Sequence, residues 1–148
     1  ARFDAISREY IYKIHQNKNP FLNNRSLFYK ESINIHLMNK ACKVLVASSD
    51  FQSFSKVKTE VNNFKCIINY ARFEKSNDNF NFIISSNRFL RGMVRCIVGT
   101  LLKVSERKIS LEKFNKIVKN KDRKGAGPSV LASGLYLSKV EYPSNIYI

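Results

Sequence analysis

The stretch that most restricts what this chain can become is residues 87–105, N-R-F-L-R-G-M-V-R-C-I-V-G-T-L-L-K-V-S. Helical spacing puts Leu90, Val94, Ile97, Val98 and Leu101 on one side, a face that has to be buried against other elements. The same spacing sets Arg88, Arg91 and Arg95 at i, i+3 and i+7, along another side. That row has two readings. One is a solvated helix face, the ordinary fate of charged residues. The other is a set of guanidinium groups that bind phosphate or neutralise a carboxylate in a cleft. Arg95 favours the second, because it lies between Val94 and Cys96, in the apolar part of the helix, where a charge needs a partner. No carboxylate in the sequence is obviously tied to it. Phe89 and Met93 flank the same side, so the expected groove is basic and apolar at once.

Charge extends the argument to the whole chain. There are 26 Lys+Arg against 11 Asp+Glu, a net charge of +15 in 148 residues. Apolar residues make up 44%, enough for a packed core, so disorder does not account for the charge. A polyanionic partner follows, nucleic acid before membrane. The length fits one domain over 1–148. No run of 18 or more apolar residues marks a membrane span, and no signal peptide is recognisable. The first residue is Ala1 and not Met, in what reads as structured sequence, so the chain is expected to be a piece cut from something longer. Cys42, Cys66 and Cys96 are odd in number, far apart and set among apolar residues, which predicts buried thiols in a reducing cytoplasm. With only His15 and His36 to help them, no metal site is expected.

Along the chain, residues 8–15 alternate as a strand, with Tyr10, Tyr12 and Ile14 on one face and Glu9, Ile11 and Lys13 on the other. Residues 17–24 carry loop chemistry. A helix is predicted over 35–47, capped by Asn34, with Met38, Ala41, Cys42 and Leu45 inward. Residues 50–55, D-F-Q-S-F-S, read as irregular with two aromatic anchors. Residues 64–73 and 79–86 read as a hairpin. After the arginine helix comes a second one over 111–119, with Ser110 as N-cap and Leu111, Phe114, Ile117 and Val118 inward. A strand over 135–142 closes the chain. The order β-α-β-β-α-α-β predicts an α+β fold, an antiparallel or mixed sheet with helices packed on one face.

Two further features bear on function. Tyr10 and Tyr12 are ordinary packing residues or a stacking surface for an unpaired base. The loop 119–129, K-N-K-D-R-K-G-A-G-P-S, is not a nucleotide P-loop, since no Lys-Ser follows its glycines. Its Arg123 and Lys124 are candidate RNA-backbone contacts; a plain surface loop is the alternative. There is no Ser/His/Asp arrangement, no G-x-S-x-G and no H-E-x-x-H. Residue types alone stop at a basic α+β RNA-binding domain.

Four blocks in order carry a resemblance. They are A-R-F-D-A-I-S-R-E-Y-I-Y at 1–12, D-F-Q-S-F-S at 50–55, N-R-F-L-R-G-M-V-R-C-I-V-G-T-L-L at 87–102 and A-G-P-S-V-L-A-S-G-L-Y-L at 126–137. Together they resemble the C-terminal half of the bacterial tRNA pseudouridine synthase A family; residues 57–69 depart from it, with lysines where many members carry arginine. The resemblance implies a pseudouridine synthase fold and isomerisation of uridine to pseudouridine at tRNA positions 38 to 40, in the anticodon stem-loop, without cofactor or metal. It implies a cytoplasmic enzyme and a homodimer. The family's nucleophilic Asp belongs to an Arg-Thr-Asp-x-Gly-Val-His motif that is absent from these residues, so this chain by itself is expected to be inactive. By the same resemblance Tyr10 lies against the uracil, Arg95 pairs with the missing Asp, and Phe89 and Leu135 pack apolar atoms around that pair. Arg88 and Arg91 join Arg123 and Lys124 as expected RNA contacts. A non-catalytic RNA-binding module and a basic ribosome-associated protein remain the other readings of the residues.

Overall fold

The computed structural model describes residues 6–22, 25–55, 65–76, 79–120 and 126–141. Among the described residues five strands form one mixed sheet: β1 (Ser7–His15), β2 (Leu27–Phe28), β3 (Ile68–Ser76), β4 (Asn79–Ser86) and β5 (Leu135–Glu141). β1 is central. It pairs antiparallel with β4, which pairs antiparallel with β3. Its other edge is shared, β5 running antiparallel beside Ser7–Tyr12 and β2 parallel beside Ile14 and His15. The two-residue β2 is too short to leave a periodic signal, which is why the expected element order lacks it.

The helices α1 (Ile35–Ala47), α2 (Met93–Ser105) and α3 (Leu111–Asn120) pack on one face of the sheet. That face is the apolar side of the alternation. Tyr12, Ile14, Phe82 and Ile84 are buried there with Met38, Leu45, Ile97, Leu101 and Phe114. α1 begins as its sequence requires, with Asn34 Oδ1 accepting from Leu37 N at 3.1 Å, and it buries Met38, Ala41, Cys42 and Leu45. In α3, Ser110 Oγ accepts from Lys113 N at 3.0 Å. Phe51 and Phe54 anchor the 50–55 segment in the core, around a short 3-10 turn at Gln52–Phe54. β3 is an edge strand, and its Phe73 is met by an α1 side chain: Asn39 Nδ2 donates to Phe73 O at 3.2 Å and Asn39 Oδ1 accepts from Phe73 N at 2.8 Å.

Two expected boundaries are corrected. β3 starts at Ile68 and not 64, because Lys65 and Cys66 are taken by Asp50 and Ser49, and Ile67 by Asn87. The arginine helix starts at Met93, so Arg88 and Arg91 lie outside it and the three arginines do not form one helical row. The cause is local. Gly92 sits at φ 73, which a helix cannot continue through, and the Ser86 hydroxyl holds the Arg88 carbonyl at 2.7 Å in the preceding loop. Among the described residues no helix is long and apolar enough to cross a membrane.

Candidate active site

The helix-side surface near the middle of β1 carries a cleft of about 410 Å³ whose walls include Tyr10, Phe89, Arg91, Arg95, Ala132 and Leu135. Each wall has a separate origin. Tyr10 comes from β1, Phe89 and Arg91 from the loop before α2, Arg95 from the first turn of α2, and Leu135 from the start of β5. Phe89 meets Tyr10 edge-on, with ring centroids 5.0 Å apart and planes at 89°. Gly92 and Met93 also line the cleft, and no side chain caps α2 there. The positive end of the helix dipole therefore adds to two guanidinium groups.

Segment 126–135 builds the far wall and is clamped to α2 and β1 at successive points. Gly127 N donates to Thr100 Oγ1 at 2.9 Å. Val130 N donates to Arg95 O at 3.2 Å, and Arg95 Nε returns to Val130 O at 2.7 Å. The Tyr12 hydroxyl donates to Leu131 O at 2.5 Å. Close approach makes this possible. A Cβ on Gly99 would stand 1.8 Å from the Pro128 carbonyl oxygen, and one on Gly134 would stand 2.9 Å from the Tyr12 ring. Reciprocal bonding to Val130 fixes the guanidinium of Arg95 through Nε. Among the described residues its two terminal nitrogens make no hydrogen bond and it pairs with no carboxylate. A guanidinium so held presents a planar fork suited to a carboxylate or phosphate.

The two tyrosines of β1 separate. Tyr10 is half-buried in the cleft wall, whereas Tyr12 is fully buried beneath segment 131–134. Burial pushes the Tyr12 hydroxyl up to about 12 despite the opposing charge of Arg95, so it stays a neutral donor. The cysteines offer no nucleophile: all three are buried and none forms a disulfide, with burial raising Cys42 to about 12 and Cys66 to about 11. Among the described residues no cluster of three His, Cys, Asp or Glu side chains could hold a metal ion.

Of the residues singled out from sequence, the cleft brings together Tyr10, Phe89, Arg91, Arg95 and Leu135. Arg88 lies apart from these walls and reaches the Lys65 carbonyl at 3.3 Å. Arg123 and Lys124 lie outside the described residues. Sequence reasoning missed the clamp. Val130 contributes a backbone carbonyl, which no residue type announces, but Gly99 inside an apolar helix was a visible sign of close backbone approach.

Residues 41–143, more than half of the chain, match the family model described as tRNA pseudouridine synthase. The chain is 43% identical over 149 residues to the tRNA pseudouridine synthase A of Parabacteroides distasonis, covering 99% of this chain and 58% of that protein. Its identity to the protein of the same name from Porphyromonas gingivalis is 41% over 150 residues, with 100% and 60% covered. With that of Staphylococcus aureus (strain MW2) it is 30% over 147 residues, with 98% and 55% covered. The chain thus spans less than two thirds of the length of these relatives.

Proposed function

Because the chain belongs to the tRNA pseudouridine synthase family, we propose that it supplies one wall of a uridine-isomerising site whose nucleophilic aspartate comes from the part of the protein not included in these 148 residues. One observation carries the reading: Arg95 lines the Tyr10 cleft, its Nε held by Val130 O at 2.7 Å, with no carboxylate paired to it among the described residues. An aspartate placed against its terminal nitrogens is kept ionised and aimed by two charge-assisted hydrogen bonds. The uncapped start of α2 favours the same negative charge.

The reaction is redox-neutral. The bond from N1 to the ribose breaks, a bond from C5 to the same ribose carbon forms, C5 loses a proton and N1 gains one. The chain's part is to hold the base. Tyr10 and Phe89 give an edge-on aromatic pair on which uracil rests, and Leu135 and Ala132 close the apolar side. A uridine within a stem must leave its stack to enter such a cleft. The substrate is tRNA at the anticodon stem-loop, the assembly a homodimer, and the setting cytoplasmic, in keeping with three cysteines that form no disulfide.

The test is pseudouridine formation by the full-length protein on tRNA. Arg95→Lys keeps the charge and loses the planar fork. Turnover should fall by about a hundredfold or more, the scale of losing one preorganised charged contact, while tRNA affinity largely survives. Wild-type turnover in Arg95→Lys and Arg95→Ala removes Arg95 from the site. Intact tRNA binding by a full-length protein that never forms pseudouridine favours a non-catalytic RNA-binding module.

A further inference from the structure

Consecutive residues of the strands divide between two sheet faces, and the second face carries a site of its own. Leu135 stands opposite Tyr12 and lines the cleft, whereas Tyr136 stands opposite Ile11 and belongs to the face away from α1, α2 and α3. On that face Lys13 stands opposite Asn81, and Ser76 opposite Asn79. With Arg25 these side chains line a cavity of about 370 Å³. Its parts are held in place. The Tyr136 hydroxyl donates to Arg25 O at 2.6 Å, and Lys13 Nζ rests 4.8 Å from the Tyr136 ring centroid.

The described lining is cationic. Among the described residues no carboxylate lines the cavity, and neither Lys13 nor Arg25 forms an ion pair. Glu74, which stands opposite Asn81, is engaged by Arg72 at 2.6 Å. Two cations beside two carboxamides and an anchored phenol ring form a set that neutralises a phosphate and donates to its oxygens or to a ribose hydroxyl. We propose that the Lys13–Arg25–Asn81–Tyr136 cavity binds a phosphodiester of an RNA strand, on the sheet face opposite the Tyr10 cleft. The inference rests on the family reading only for RNA as the source of the anion; free phosphate shares the chemistry.

The experiment titrates the isotope-labelled chain with an anticodon stem-loop RNA and, separately, with inorganic phosphate, following backbone amide resonances. Both should shift Lys13, Asn81 and Tyr136, RNA at much the lower concentration. The exposed pair Lys13→Gln/Arg25→Gln, checked for an unchanged unfolding midpoint, should lose RNA affinity by about tenfold for each charge removed at about 0.1 M salt. Its salt slope should fall by about 2. Double-variant binding with wild-type affinity and slope overturns the second site. If RNA shifts only the Tyr10 cleft, the cavity fails while the family reading stands. Silence at both places under RNA overturns the second site and the base-holding role proposed for the Tyr10 cleft. Response to inorganic phosphate alone overturns the RNA assignment.

Discussion

Replacing Gly99 by alanine tests the clamp by the sign of its effect. At an ordinary interior helix position this change stabilises by about 1 kcal/mol, because alanine is the better helix former. Gly99 is not ordinary. Its added Cβ would meet the Pro128 oxygen at 1.8 Å, and ordinary contact begins near 3.4 Å, so segment 126–130 must retreat by about 1.6 Å. That displacement is larger than the slack in the bonds it strains, Gly127 N to Thr100 Oγ1 at 2.9 Å and Arg95 Nε to Val130 O at 2.7 Å. Overpacking costs about 1–3 kcal/mol and each lost hydrogen bond about 1 kcal/mol. Set against the propensity gain, the net is a destabilisation of about 2–4 kcal/mol, or a midpoint lowered by roughly 5–10 °C for a chain of this size. Thermal and urea unfolding of the chain followed by circular dichroism measure it. A Gly99→Ala chain as stable as the parent, or more stable, refutes the close approach and with it the account of how Arg95 is oriented.

Tyr12→Phe keeps the buried ring and removes the hydroxyl that holds Leu131 O, and should cost about 1 kcal/mol, a midpoint drop of roughly 2–4 °C; an unchanged midpoint denies the strut. Tyr10→Phe in the full-length protein should keep tRNA affinity, since the edge-on contact with Phe89 needs only the ring, and any fall in turnover then isolates the hydroxyl. At Glu9, burial raises the carboxyl, but hydrogen bonds from Ser138 and Tyr70 and the charges of Lys139 and Arg72 outweigh it and hold the group below its ordinary value. Its stabilisation is therefore complete above the ordinary carboxylate value and is lost as pH falls through the depressed one. Glu9→Gln should lower stability at neutral pH and flatten the acid limb of the stability curve, and parallel acid limbs for the two proteins would contradict that. The 148 residues alone should form no pseudouridine; measurable product would overturn the division of the site.

Legibility in the sequence followed the range of the interaction. α1 was readable from Asn34 and four inward positions, because capping and amphipathic spacing are settled within a few residues. Tyr10, Phe89, Arg95 and Leu135 were grouped by resemblance, and Arg95 also by a local oddity, a guanidinium in an apolar helix. What stayed hidden depends on distant partners. Residues 65–67 leave the ladder because Ser49, Asp50 and Asn87 take their backbone groups. Val130 matters through a peptide oxygen, which any residue would supply. The cavity on the second sheet face needed the register of three strand pairs before its residues could be seen as neighbours.

The carboxamide of Asn39 bears on solubility. By satisfying both backbone groups of Phe73 it occupies the mid-strand docking point that a foreign β-segment would need on this outer rim. Fibrillar stacking along β3 would first have to evict a helix side chain.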